Sequence, residues 1–131
     1  MQIEIFSICD AATIEGGKLN ILGAFDTILA SEAPVTHPHC TVALRFRFQS
    51  IEGNEHKISV KFVNADGEHV IPPANGVIKI NFAKEQRTSS ANLVLNLQGL
   101  KLAKFGEYSI DLTVNGKNIA SLPFFVKQRK S

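Results

Sequence analysis

The sequence has 131 residues, of which 44% are hydrophobic and 20% are charged, and this composition predicts one globular domain that buries about two thirds of its unfolded surface. A formal net charge of +2 is too small for a typical nucleic-acid-binding domain, in which lysines and arginines cluster. No apolar run approaches the roughly 18 residues of a membrane helix, and no signal peptide is visible, so we expect a cytoplasmic protein with reduced cysteines.

The N-terminal part contains three predicted strands. Residues 2–9 form the first, and residues 18–30 form a second, apolar strand with a bulge or bend at Gly23. A helix is disfavoured in this segment because it contains a glycine and several β-branched residues. Two prolines predict a loop over residues 31–39. Residues 41–49 then alternate between apolar and polar side chains, which predicts a strand with one face toward solvent.

Shorter strands are expected in the middle of the chain. A new apolar alternation begins at Ile58, and the dipeptide Asp66-Gly67 is typical of a hairpin turn. The other expected strands occupy residues 69–71, 77–82 and 91–97, with a break at the proline-containing residues 72–76.

The clearest local signal is a hairpin near the C-terminus. Residues 108–114 alternate with period 2, and Asn115-Gly116 favours the positive φ angles of a type I′ turn. A second strand over residues 117–126 should therefore pair antiparallel with the first. Seven or eight strands at short, even spacing predict an all-β, antiparallel two-sheet sandwich that forms a single domain over residues 1–131.

The sharpest alternation also predicts which side chains are buried between the sheets. The predicted core consists of Leu44, Phe46, Phe48, Ile58, Val60, Phe62, Leu93, Leu95, Ile110, Leu112 and Val114.

The C-terminal quarter resembles immunoglobulin-like and fibronectin-type domains, on the segments FGEYSIDLTVNG at 105–116 and LPFFV at 122–126. The resemblance implies an immunoglobulin-like sandwich with a tyrosine corner, in which the Tyr108 hydroxyl bonds back to the preceding turn. Because Ile110 stands where antibody domains carry a cysteine, it implies a variant without the disulfide. Residues 8–26 resemble a family of short, uncharacterised bacterial and phage-associated proteins, which implies a bacterial intracellular setting and assigns no functional residue.

A metal site is one hypothesis for the loop at residues 31–40. His37, His39 and Cys40 could begin a tetrahedral zinc site, with a further ligand from His56, His69 or Cys9. The spacing matches no established zinc pattern, so an ordinary loop is the preferred interpretation. Both cysteines are expected to be small buried side chains rather than reactive thiols.

Two other short patterns have simpler structural explanations. The sequence Gly16-Gly17-Lys18 lacks the remaining glycine spacing of a phosphate-binding loop, and no helix follows it. The carboxylates of Asp10, Glu15 and Asp26 lie near predicted turns, where solvation explains them better than a catalytic acid pair. We therefore assign no catalytic residue.

Arg45 and Arg47 are the main basic grouping, and they share the outward face of their strand. Nucleic-acid binding is one interpretation, but no aromatic side chain that could stack a base interleaves with them on that face. A regular hairpin with the next strand would place Arg45 opposite Lys61, and like charges in that position are unfavourable. Since the strand order of an immunoglobulin-like sandwich would bring Asp111 close, we expect Asp111 to be the counter-ion.

The preferred functional hypothesis is a non-enzymatic module that binds another protein or its own copies, through loops at one end or through a sheet edge. One alternative is a small metal- or ligand-binding protein or enzyme that uses the 31–40 loop. Another is a weak nucleic-acid binder that uses Arg45 and Arg47. We expect no cofactor, no metal and no membrane partner, and the sequence does not identify the protein partner.

Overall fold

The computed structural model describes residues 1–130, which form two β-sheets and no α-helix. A short 3₁₀ turn, Ser50–Glu52, is the one helical element in this range, and no helix of the described chain is long and apolar enough to cross a membrane. The strands are β1 (Gln2–Glu15), β2 (Lys18–Phe25), β3 (Thr27–Ala30), β4 (Val35–Gln49), β5 (Glu55–Asn64), β6 (Ala74–Lys79), β7 (Thr88–Leu102), β8 (Gly106–Val114) and β9 (Lys117–Gln128). The all-β prediction is confirmed, although residues 1–130 contain nine strands where seven or eight were expected.

The four-stranded sheet has the order β2-β1-β4-β7, and the five-stranded sheet has the order β3-β9-β8-β5-β6. Neighbouring strands are antiparallel except β3 and β9, which pair in parallel from Thr27 opposite Phe125 to Ala30 opposite Gln128. The prediction of a wholly antiparallel fold is therefore wrong at this pair. The chain leaves the first sheet at Phe25, and β3 then joins the second sheet beside β9 and runs in the same direction as β9.

One hydrophobic core lies between the two sheets and draws side chains from both of them. Every residue of the predicted core is buried except Leu93 and Leu95, which pack against the core while remaining partly exposed. These two lie on β7, which forms the edge of the four-stranded sheet and has a neighbour on one side only. The alternation therefore identified the correct faces, but it could not show that this strand lies at an edge.

The predicted loop at residues 31–39 is confirmed for residues 31–34 and is wrong for residues 35–39, because β4 already begins at Val35. Residues 35–40 of β4 pair with β7 alone, since the pairing of β4 with β1 ends where Thr41 lies opposite Cys9. Proline lacks an N–H and is tolerated in a strand where one side has no partner. Pro38 meets that condition, so it does not end the strand.

Several other predicted boundaries shift in the structure. The first strand extends beyond residue 9 to Glu15, and the predicted strand at 18–30 divides at Asp26 between the two sheets. The strand expected at residues 69–71 is reduced to an isolated bridge between Val63 and His69. β6 occupies residues 74–79, where the sequence predicted a break and then a strand over 77–82.

The predicted C-terminal hairpin and the predicted hydrogen bond from the Tyr108 hydroxyl to the preceding turn are confirmed. Asn115 and Gly116 have φ angles of 50° and 81°, and they connect Val114 directly to its partner Lys117. The Tyr108 ring is buried, and its hydroxyl donates a 2.6 Å hydrogen bond to the Lys104 carbonyl. The backbone N–H of Lys104 in turn donates to this hydroxyl at 3.2 Å.

Candidate functional site

Glu4 on β1 lies between Arg45 and Arg47 on the neighbouring β4. Its Oε1 accepts a hydrogen bond from Arg45 Nε at 2.8 Å, and its Oε2 accepts one from Arg47 Nε at 2.7 Å. Hydrogen bonding to Arg47 is the main cause that holds the pKa of Glu4 below its ordinary value. One carboxylate therefore offsets part of the charge of both guanidinium groups.

The prediction that Asp111 is their counter-ion is wrong. β4 and β5 belong to different sheets, so no hairpin forms between them, and Lys61 lies opposite Asp111 in the five-stranded sheet. Asp111 accepts hydrogen bonds from the hydroxyls of Ser109 and Ser121 at 2.6 and 2.7 Å. The two arginines need a nearby acid, but that acid comes from β1.

The same arginines also tie β7 and the β1–β2 turn to the four-stranded sheet. Arg45 Nη1 donates to Asn92 Oδ1 at 2.9 Å, and Asn92 Nδ2 donates to the Gly17 carbonyl at 3.1 Å. Arg47 Nη1 donates to Thr88 Oγ1 at 3.1 Å. Their side chains are thus occupied in a hydrogen-bonded network that holds the β1–β2 hairpin over this face, which supports a structural role.

The three residues of the hypothetical metal site do not converge. Cys40 lies in the core, whereas His39 is exposed and His37 lies against the Phe25 ring, with 5.9 Å between the ring centroids. Burial raises the pKa of the Cys40 thiol to about 11 and also raises that of Cys9, so both thiols stay protonated. Within residues 1–130, no group of three His, Cys, Asp or Glu side chains is arranged to hold a metal ion.

His56, a possible further ligand of the hypothetical metal site, is a buried histidine with hydrogen bonds on both ring nitrogens. Its Nε2 lies 3.1 Å from the Gly53 carbonyl, and its Nδ1 lies 3.0 Å from Asn115 Nδ2. The ring stacks on Phe48 with 3.9 Å between centroids. These contacts explain its position as part of the core that joins the two sheets.

The three carboxylates near the turns have separate surroundings. Asp10 packs against Gly23, Glu15 lies opposite Lys18 in the β1–β2 hairpin, and Asp26 accepts a 2.8 Å hydrogen bond from the Thr27 hydroxyl. This placement supports structural roles for each of them. It does not suggest a general acid and base acting together.

The edge strand β2 is the surface that best fits a binding site. It ends the four-stranded sheet and pairs with β1 alone among the described strands. Leu22 is 71% exposed and Ile21 is 36% exposed, and no charged residue occurs between Lys18 and Asp26. Edge strands of natural proteins are usually protected by charge, proline or shortness. An apolar, eight-residue edge is therefore suited to accept another strand.

Sequence reasoning identified the strand that contains Leu22 but not its position in the sheet. The available signal was that apolar residues occur at both odd and even positions from Leu19 to Phe25, so an inward face alone does not account for them. The exposed Leu22 and the partly exposed Leu19 show that neither alternation of this strand is fully buried.

Residues 4–127 match a family described as "Family of unknown function (DUF6941)", and the chain belongs to this family. None of the curated proteins matches the sequence. Among solved structures, the chain is similar to the Pseudomonas fluorescens alkylpurine DNA glycosylase AlkC bound to DNA containing an abasic site analog, with 10% identity and a TM-score of 0.44. The similarity covers 93% of this chain and 30% of that protein, so this chain spans less than a third of its length.

Proposed function

We propose that this member of the DUF6941 family is a non-enzymatic protein-binding module, and that it binds an extended segment of protein as an additional strand on β2. The observation that carries the proposal is the second edge of β2, which no described strand occupies, together with its exposed Leu22. In this mode of recognition, main-chain hydrogen bonds to the free edge supply affinity, and side-chain contacts at alternate positions supply specificity.

The energetics of such binding favour an apolar edge. Full burial of a leucine side chain contributes about 1.5–3 kcal/mol, and Leu22 has most of its surface available. A net gain of about 0.5–1.5 kcal/mol is typical of each hydrogen bond made. A partner strand that covers Leu22 and Ile21 and bonds along the edge can therefore offset much of the entropy lost on association.

Nucleic-acid binding by Arg45 and Arg47 has less support. Glu4 accepts hydrogen bonds from both arginines, so a phosphate would compete with an existing counter-ion. One observation supports the small-ligand hypothesis. His37 Nε2 is buried and has no hydrogen-bond partner among residues 1–130, and His37 lines a depression of about 370 Å³ together with Asp10 and Arg129. Chemical shifts of the His37 ring during a screen of small acids and amines would test that hypothesis.

We also infer an immunoglobulin-like sandwich and a reducing, cytoplasmic setting in a bacterium. The two-sheet core, the tyrosine corner at Tyr108 and the Asn115-Gly116 turn support the immunoglobulin-like part. Free, buried Cys9 and Cys40 support the reducing compartment.

Two variants test the binding proposal, and each replaces an exposed aliphatic side chain by lysine. Leu22→Lys places a charge on the β2 edge, and Val77→Lys is the matched control on β6, an edge of the other sheet where Val77 is 50% exposed. Tagged protein captured from its own host should retain a bound protein in the wild type and in Val77→Lys, and should lose it in Leu22→Lys. Binding should also slow the hydrogen exchange of β2 amides. Equal capture by both variants would contradict the proposal.

A further inference from the structure

We infer that the strand bound by β2 is β2 of a second copy of this chain, paired antiparallel about a two-fold axis at Leu22. The inference rests on the proposed function, because it names the partner of the same edge. The dimer would join two four-stranded sheets into one continuous sheet of eight strands.

Backbone geometry restricts the registers in which β2 can pair with its own copy. Along a strand, successive residues direct their N–H and C=O groups to opposite sides, and residues directly opposite in an antiparallel pair must both face the partner or both face away. Only residues separated by an even number of positions can therefore lie opposite each other. This leaves three central registers, in which Ile21, Leu22 or Gly23 lies opposite itself.

Charge selects the middle register. When Leu22 lies opposite Leu22 of the copy, Lys18 at the start of β2 comes close to the second copy's Asp26, the residue that directly follows β2, at both ends of the interface. When Ile21 lies at the centre, Lys18 faces Ala24 and Asp26 faces no strand residue. When Gly23 lies at the centre, Asp26 faces Asn20. Only the Leu22 register pairs both charges that flank the apolar strand and also aligns the full run from Leu19 to Phe25.

Side-chain shape agrees with the same register. Leu22, the most exposed of the large apolar residues on β2, would cover its own copy at the centre of the interface. Ile21 would lie opposite Gly23, which has no Cβ and therefore leaves room for the larger side chain. Gly23 bends β2 with a φ of 69°, yet the pairing with β1 continues in one register on both sides of it, through Ala24 opposite Cys9 and Leu22 opposite Ala11.

Cysteine substitution tests this register directly. Opposite residues of an antiparallel pair have Cα atoms about 4.5 or 5.5 Å apart, within the range of about 4.4–6.8 Å that a disulfide requires. Leu22→Cys should therefore form a disulfide-linked dimer under mild oxidation. Two copies of Ala24→Cys should not, because their Cα atoms would lie roughly 14 Å apart. A mixture of Asn20→Cys with Ala24→Cys should cross-link, since the register places these residues opposite each other.

Sedimentation equilibrium of the wild type and of charge variants measures dimer affinity without a covalent link, and so tests the role of Lys18 and Asp26. Lys18→Asp and Asp26→Lys should each weaken the dimer by about 2- to 30-fold, because each replaces two exposed ion pairs with two repulsive ones. The double variant Lys18→Asp/Asp26→Lys should restore the wild-type affinity. Val77→Lys, on the other sheet, should leave it unchanged.

The outcomes separate this inference from the proposed function. Cross-linking of Ala24→Cys as readily as Leu22→Cys, or a double variant no tighter than the single ones, would overturn the self-pairing register. If the wild type is monomeric and Leu22→Cys does not cross-link, self-pairing is wrong. The proposed function would still stand in that case if the wild type and Val77→Lys capture a protein other than this chain and Leu22→Lys does not.

Discussion

Replacing Gly23 by alanine should destabilise the protein more than the same change at Gly99. Both glycines have a left-handed φ, 69° and 64°, in which a residue with a side chain is disfavoured by about 1–2 kcal/mol. A Cβ on Gly23 would meet Asp10 Oδ2 and would lie 2.9 Å from Asp10 Cγ, whereas a Cβ on Gly99 meets no atom within 4 Å. Overpacking costs about 1–3 kcal/mol. We therefore expect a loss of about 2–5 kcal/mol for Gly23→Ala and about 1–2 kcal/mol for Gly99→Ala.

Urea unfolding of the two variants and the wild type, analysed at equal m-values, measures both losses. Adding Asp10→Ala should reduce the cost of Gly23→Ala, because it removes the carboxylate that the new Cβ would meet. Part of the cost should remain, because the Cβ of residue 10 stays 3.2 Å from a Cβ on residue 23. Equal losses at Gly23 and Gly99, or a Gly23→Ala cost that Asp10→Ala does not change, would refute a close approach of Asp10 to β2.

Three further predictions concern the core, the tyrosine corner and the arginine network. Phe46→Ala should lower the free energy of unfolding by about 3–5 kcal/mol because the ring is fully buried. A denaturation midpoint close to that of the wild type would contradict the place of Phe46 in the core. Tyr108→Phe should cost about 0.5–1.5 kcal/mol, since Lys104 loses its hydroxyl partner; unchanged stability would argue against the corner. Glu4 has a pKa below its ordinary value of 4.5 in the folded state, so its stabilising effect is present above that value and is lost as pH falls through the lower folded pKa. The difference in melting temperature between wild type and Glu4→Gln should therefore narrow in acid, and a difference independent of pH would contradict the pairing with Arg45 and Arg47.

The features that the sequence predicted well are local ones. The alternation over residues 108–114 and the Asn115-Gly116 turn are encoded within a few residues, because side-chain period and positive φ depend on immediate neighbours. The tyrosine corner was also predictable, since Tyr108 bonds to Lys104 only four residues away.

The features that were predicted wrongly depend on which strands become neighbours. Glu4 meets Arg45 and Arg47 across 41 and 43 residues of sequence, and no local pattern indicates that β1 lies beside β4. Asp111 was chosen from the expected strand order of an immunoglobulin-like sandwich, and the observed sheet places β1 and β7 beside β4 instead. The same non-local information determines which strands lie at an edge, so the segment showed apolar residues on both alternations of β2 but not that β2 ends its sheet.

The position of β2 limits what kind of assembly its edge can form. The other end of the same sheet is β7, a strand of 15 residues whose second edge is also free of a strand partner among the described residues. Pairing of β2 with β7 of another copy would be heterologous, and repetition of that contact would extend an open sheet without limit. Pairing of β2 with β2 of a second copy uses the free β2 edge of each copy, so the assembly closes after two copies. Exposed Asn96, Gln98 and Lys101 make β7 the more polar edge, whereas β2 between Lys18 and Asp26 is almost wholly apolar. The contrast favours a closed dimer over a filament, because the apolar surface is buried by the contact that terminates assembly.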